Sequence, residues 1–501
     1  MKISMHDRVI RRTVVRVADK AVTTEIANLQ EIGKLASKVG ANRGFHAFLS
    51  GLKGDIRNRC GMALLFERVG HELNPRCRKM VFRNLIYNWN VQGAKLRRAL
   101  IDENQWVPNL AVISPSMSCN LRCTGCYSGL YDKAGELTEE EIDGVLAELR
   151  NMGCYFVVVS GGEPYVKKEM WLRLFRKYGD MYFLTYTNGT LLDDKTVHRL
   201  ACLGNVAPAI SVEGYEEETD ERRGTGTYRR VLEAMARLRR EGVLFGISVT
   251  YTRNNVDLVS SDEFVRFFMD KGAIFAWYFM FMPVGKDPIL ELVPTPRQRY
   301  ECGVRIGKMR KRHPMFLADF WNDGPAAGGC LAGGRSYLHI LNDGRIEPCV
   351  FAHFGVDNIR DTTILEAVNS PYFKAIRGEF PYNNNGNLLR PCMIIDNPEV
   401  LRSVVREYVV PEGHPHSEDL IQDPEVVEWI DDYSREFRDI VDPVWEERIS
   451  DPKDRWYREG TDYRNLFLHR KNKGVAPFAT PADEREETAE QDEAIEREVA
   501  L

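Results

Sequence analysis

The chain has 501 residues, 44% of them hydrophobic and 28% charged, and no apolar run approaches the roughly 18 residues of a membrane-spanning helix. The basic start, MKISMHDRVIRRTVVRVADK, lacks the apolar centre of a secretion signal, so the expectation is a cytoplasmic protein. Eleven cysteines, an odd number bunched in a long chain, argue against a disulfide framework.

The net charge of −5 is unevenly spread: residues 1–100 hold 20 Lys and Arg against 7 Asp and Glu, and residues 481–501 hold 2 Arg against 9 Asp and Glu. The basic front end either docks on the acidic remainder or meets an acidic lipid, nucleic acid or protein. Residues 1–105 read as a helical extension, because TTEIANLQEIGKLASKVG and CRKMVFRNLIYNWNVQGAKLRRALI repeat apolar residues three and four apart.

Between 106 and 320 the pattern is α/β. Short apolar runs (110–116, 155–162, 182–189, 206–214, 244–252 and 274–285) alternate with amphipathic stretches such as 137–153 and 227–242. Thr138 and Glu141 have capping-box spacing, and Gly153 and Gly242 suit helix ends. Strand runs that are continuously apolar indicate a parallel sheet covered on both faces, here an open, partial (β/α)6 barrel. Chemistry in such folds gathers at the C-terminal ends of the strands. A glycine-rich stretch at 324–334 opens a small cysteine-bearing domain over 321–398, followed by a helical, acidic segment 399–475 and a charged tail 476–501 expected to be disordered.

Just after the first strand run stands CNLRCTGC, with Cys119, Cys123 and Cys126 in eight residues. Three thiols on a short turning loop are one ligand short of a zinc site or a four-cysteine cluster. Either a distant fourth ligand completes a zinc knuckle, or one metal position stays open.

CNLRCTGCY after the first strand and SGGEP after the second resemble the radical SAM superfamily. The resemblance implies a [4Fe-4S] cluster on Cys119, Cys123 and Cys126, with S-adenosylmethionine (SAM) on the open iron. It implies reductive cleavage of SAM to a 5′-deoxyadenosyl radical that takes hydrogen from a substrate. Gly161, Gly162, Glu163 and Pro164 match the family's SAM-contact segment, and Thr187, Asn188, Gly189, Ser211, Glu213, Gly214 and Arg223 fall at further SAM-contact positions. Ser248 is a weaker candidate. One departure is Gly125, where relatives often carry an aromatic.

Downstream, Cys330, Gly344 and Cys349 have the spacing of SPASM and twitch domains, with Cys392 as third ligand of an auxiliary [4Fe-4S] cluster. NDGR between YLHIL and RIEPC predicts a hairpin that brings two thiols together. The full cysteine set of a SPASM domain is absent, which implies one auxiliary cluster of twitch type. Its fourth ligand is open between Cys302 and substrate on a bare iron. His353, His414 and His416 are weaker candidates for that position and read rather as ordinary surface or turn residues, and Cys60, Cys77, Cys154 and Cys202 as inert buried thiols.

The resemblance, which covers about residues 108–395, leaves the substrate open among peptide or protein side chain, lipid and other metabolite. It implies an electron donor such as flavodoxin or ferredoxin. The basic front end leaves peripheral membrane contact open. No nucleic acid partner is expected, since aromatics are not interleaved there. A non-catalytic iron–sulfur carrier is the alternative, and the SAM-contact motifs argue against it.

Overall fold

The computed structural model describes Val15 and residues 61–285, 289–411, 413–414 and 416–450. Expectations for the rest of 1–60, Cys60 included, and for the acidic tail lie outside these residues.

Seven parallel strands follow one another in order: β1 (Leu110–Ile113), β2 (Phe156–Val159), β3 (Tyr182–Thr187), β4 (Val206–Val212), β5 (Gly246–Tyr251), β6 (Phe275–Met280) and β7 (Phe316–Asp319). Their residues are almost all buried because helices cover the sheet, as the unbroken apolar runs require. The helix Thr227–Arg240 shows how this is encoded, burying Val231, Ala234, Met235 and Leu238. The expected capping box is present: Glu141 N donates to Thr138 Oγ1 at 3.1 Å, and Thr138 N to Glu141 Oε2 at 2.8 Å. The seventh strand was not expected. Phe-Leu-Ala-Asp is four residues long and lacks a β-branched side chain, so it carries no strand signal of its own.

The sheet does not end at β1. β8 (His339–Ile340) pairs parallel to β1, β9 (Arg345–Glu347) antiparallel to β8, and β10 (Asp357–Asn358) antiparallel to β9. The expected hairpin is therefore β8–β9, turning at Gly344 with φ +87°. One ten-stranded sheet crosses the boundary expected at 320.

Residues 61–102 are helical, with the helices Gly61–Glu72, Pro75–Met80 and Ala94–Asp102. Between the last two runs a wide π-type helix, Val81–Gly93. Its buried Asn84 donates to Met181 O at 2.9 Å and Asn88 to Asp180 O at 2.8 Å, which pins the extension at the entry to β3. On the far side, the helices Pro398–Tyr408 and Pro424–Ser450 return to the core. There Arg299 Nη1 lies 2.5 Å from Asp396 Oδ1, with its guanidinium 3.8 Å from the centre of the Phe437 ring.

Candidate iron–sulfur and SAM sites

The cysteine loop leaves β1 directly. Ser116 and Ser118 donate to Glu136 Oε1 at 2.6 and 3.2 Å, and Lys167 Nζ lies 2.5 Å from Glu136 Oε2, which ties down the approach to Cys119. Cys119 is exposed, and Cys123 and Cys126 are half-buried. Burial raises the pKa of Cys119 and Cys123, and the neighbouring thiols raise it further. Arg223 works the other way at Cys123. Thiols of this kind lose their protons to the metal they bind. Among the described residues no three His, Cys, Asp or Glu side chains converge on a point fit for a single metal ion. Thiols spread along a turn suit the corners of a cubane.

Gly125 has φ +61°, and a Cβ there would stand 2.6 Å from Phe281 Cε2. The aromatic missing before the third cysteine is replaced by a ring arriving from the end of β6. Arg222 lies over that ring, 5.7 Å from its centre. Gly285, which ends the FMPVG segment, rests on the cysteine loop: a Cβ there would meet Tyr127 O at 2.3 Å.

The segment after β2 is zipped to the cysteine loop. Gly162 N donates to Ser116 O and Glu163 N to Ser118 O, both at 2.9 Å. A Cβ at Gly161 or Gly162 would stand 2.4 Å from Ser116 O or Ser118 O. The glycines are needed for this close approach, and Pro164 then starts a short 3-10 turn. Glu163 is buried, and its carboxylate accepts from Asn188 N at 2.7 Å, Thr187 Oγ1 at 2.8 Å and Tyr165 N at 3.0 Å. Its side chain thereby joins the ends of β2 and β3. Asn188 in turn donates to Asn120 Oδ1 at 2.9 Å, and its Nδ2 lies 3.9 Å from Cys119 Sγ.

At the end of β4, Glu213 is 1% exposed and meets two arginines. Arg223 donates to Glu213 Oε1 through Nε at 2.7 Å and Nη2 at 2.5 Å, and its Nη1 lies 4.0 Å from Cys123 Sγ. Arg222 Nη1 lies 2.7 Å from Glu213 Oε2, so each carboxylate oxygen faces a guanidinium. Ser211 and Ser248 sit side by side on β4 and β5. Cys119, Asn188 and Glu163 are thus linked in one set and Cys123, Arg223 and Glu213 in another, with Gly161, Gly162 and Pro164 along one edge of the cysteine loop.

The second set of thiols lies close enough to interact. Cys330, Cys349 and Cys392 act on one another electrostatically, and burial pushes each thiol up to about 12. Tyr337 Oη lies 3.0 Å from Cys349 Sγ, and Cys392 N donates to Asp396 Oδ2 at 3.0 Å. Cys302 is elsewhere, buried in the helix Pro296–Arg312 with Asp319, Arg305 and Ser260 as neighbours, so it does not complete this set. Cys77 and Cys154 are buried as expected, whereas Cys202 is exposed beside His198.

The histidines depart from expectation. His353 and His414 are buried, and His414 Nε2 lies 2.6 Å from His353 Nδ1. His353 Nε2 donates to Val350 O at 3.0 Å, so its Nδ1 accepts from His414. His416 is exposed. Beside them runs a chain the sequence did not reveal. Tyr131 donates to Glu347 Oε1 at 3.4 Å, His339 Nδ1 lies 3.0 Å from Glu347 Oε2, and His339 Nε2 lies 2.7 Å from Ser114 Oγ. Burial drives His339 down to about 3 and Glu347 upward. The chain spans from just beyond Cys126 to just before Cys349. His339 and Glu347 lie 225 and 216 residues from their partners Ser114 and Tyr131, and no local pattern announces the set.

Comparison with known proteins agrees with this arrangement. Residues 113–265 match the Radical SAM superfamily and residues 330–393 the SPASM iron–sulfur cluster-binding domain. An AdoMet-dependent heme synthase of Methanosarcina barkeri is 26% identical over 302 residues, 54% of this chain and 85% of its own length. The mycofactocin maturase MftC of Mycobacterium tuberculosis is 29% identical over 277 residues, 52% of this chain and 70% of its own. The fold is similar to that of Streptococcus suis SuiB bound to precursor peptide SuiA, at a TM-score of 0.51 and 18% identity, covering 66% of this chain and 80% of that one. Between β1 and Cys392 the chain thus carries a radical SAM domain followed by a SPASM iron–sulfur cluster-binding domain, which together imply SAM, the [4Fe-4S] cluster that binds it and an auxiliary cluster as cofactors.

Proposed function

We propose that Cys119, Cys123 and Cys126 hold the SAM-binding cluster, that SAM lies against Gly161, Gly162, Glu163, Pro164, Asn188, Ser211, Glu213 and Arg223, and that Cys330, Cys349 and Cys392 hold the auxiliary cluster. The barrel then spans 106–320 and the auxiliary domain 321–398. The observation that carries the reading is the Arg223 guanidinium, which links buried Glu213 to Cys123 Sγ. Bound there, the cluster and SAM supply a one-electron cleavage of the sulfonium and a 5′-deoxyadenosyl radical that takes hydrogen from a substrate.

The chain's own residues have separable tasks. The two guanidiniums offset the negative charge that thiolates bring to the loop. Glu163 fixes the spacing between the ends of β2 and β3, and so the width of the SAM seat. Phe281 and the segment it begins cover the third cysteine and exclude water from that side. The exposed Cys119 and Arg122 leave an edge open to an electron donor of flavodoxin or ferredoxin kind. The substrate is a small molecule or a peptide, in keeping with relatives named as a heme synthase and a maturase.

The test is anaerobic. Protein reconstituted with iron and sulfide receives dithionite and SAM, and 5′-deoxyadenosine is quantified beside a Cys126→Ala control. Product in the wild type alone supports the reading. Equal product in both, or none from a cluster-loaded, SAM-bound wild type supplied with cell extract, would sink it.

A further inference from the structure

Three cysteines leave one corner of a four-iron auxiliary cluster without a protein donor. The oxygens and nitrogens around this site are mostly committed. Tyr337 meets Cys349, Asp396 is held by Arg299 and Cys392 N, and Arg335 Nε donates to Cys330 O at 2.5 Å. One is not. Tyr382 is 5% exposed, and its Oη is buried with no hydrogen-bond partner. The large majority of buried hydroxyls are hydrogen-bonded, so an orphan beside a metal site calls for a reason.

The position of that hydroxyl is fixed from two sides. Tyr382 holds φ +70°, a left-handed conformation that a bulky residue rarely adopts, and its N–H donates to Glu379 O at 2.8 Å. At its other end, Oη reaches Gly333, stopping 3.0 Å from where a Cβ would stand. Gly333 lies three residues beyond Cys330, and its N–H donates to Pro348 O at 2.7 Å, next to Cys349. The hydroxyl therefore ends in the loop that ties two of the cysteines together. Cys330 and Cys392 both act on it electrostatically.

We propose that Tyr382 is the fourth protein ligand of the auxiliary cluster. An Fe–O bond forms between the open iron and Oη, and the phenolic proton leaves to water. A cleft of about 560 Å³ has other atoms of Tyr382, and Asp396, in its wall. Tyrosinate is an established ligand of protein-bound iron. The auxiliary iron is then closed to substrate, and the cluster acts on electrons alone.

This assignment rests on the auxiliary-cluster reading, and the test separates the two. The Cys119→Ala/Cys123→Ala/Cys126→Ala variant of the full chain, reconstituted anaerobically, isolates the second site. Four irons per chain would establish the cluster; no iron would overturn the cluster reading and this assignment with it. With iron present, imidazole or cyanide should leave the electron paramagnetic resonance spectrum of the reduced cluster unchanged. A shifted spectrum would show an open iron and overturn the tyrosine assignment alone. Adding Tyr382→Phe should create sensitivity to imidazole and yield a three-iron signal on mild oxidation, and Tyr382→Cys should restore the four-iron form. Unaltered spectra in Tyr382→Phe would likewise overturn it.

Discussion

Arg299 and Asp396 face each other with neither side chain exposed, 97 residues apart in sequence, and the same carboxylate accepts the N–H of Cys392. One aspartate therefore anchors the helix Pro296–Arg312 and the auxiliary cysteine at once. Asp396→Ala would leave a buried guanidinium unpaired, a change that costs about 3–5 kcal/mol. Thermal or urea unfolding should show that loss, together with reduced iron at the auxiliary site. Wild-type stability in the variant would contradict the pair's structural role.

Iron counting separates the two cysteine sets. The reconstituted chain should hold about eight irons, and both Cys126→Ala and Cys349→Ala about four. Only the first should abolish the spectral change that SAM induces in a cluster. Loss of all iron in either variant would mean the two sites do not assemble independently.

The glycines of the SAM edge make a sharper prediction. A methyl at position 162 would press on Ser118 O at 2.4 Å and on its carbonyl carbon at 2.6 Å, prying the edge from the cysteine loop. Gly162→Ala should weaken SAM binding by roughly tenfold, about 1.4 kcal/mol, with iron content preserved. An unchanged SAM affinity, measured by equilibrium dialysis on loaded protein, would move the SAM seat elsewhere.

Asp319 gives a pH dependence. It is buried, and burial first, then the charge of Asp323, raises its pKa from 3.8 to about 6. A carboxyl raised in the folded state contributes stability that is fully present below pH 3.8 and is lost as pH rises through about 6. The span corresponds to about 3 kcal/mol. Urea midpoints of iron-free protein between pH 4 and 7 should fall relative to those of Asp319→Asn, which has no such proton to lose. Parallel curves for the two proteins would remove Asp319 as the cause.

How much of this was legible beforehand depended on the range of the signal. The cysteine spacing, the Thr138–Glu141 box and the Asp-Gly hairpin are local patterns, and each marks a feature the fold contains. Phe281 filling the space at Gly125 was not legible, because the two are brought together only when β6 lies beside the cysteine loop. His353 and His414 are 61 residues apart and looked ordinary for the same reason. β7 was too short and too plain to announce itself. The wide helix Val81–Gly93 has the periodicity of any amphipathic helix, and its extra width comes from packing.

The pairing of β8 with β1 has a consequence for where the two cysteine sets sit. The loop to Cys119 leaves the end of β1, while Cys330 precedes β8 and Cys349 follows β9. The cysteine loop and the Cys349 end of the auxiliary set are therefore carried by neighbouring strands of a single hydrogen-bonded sheet, and Cys392 joins from the segment after the helix Pro371–Gly378. In the proposed arrangement, one continuous sheet is the shared mount of both metal centres.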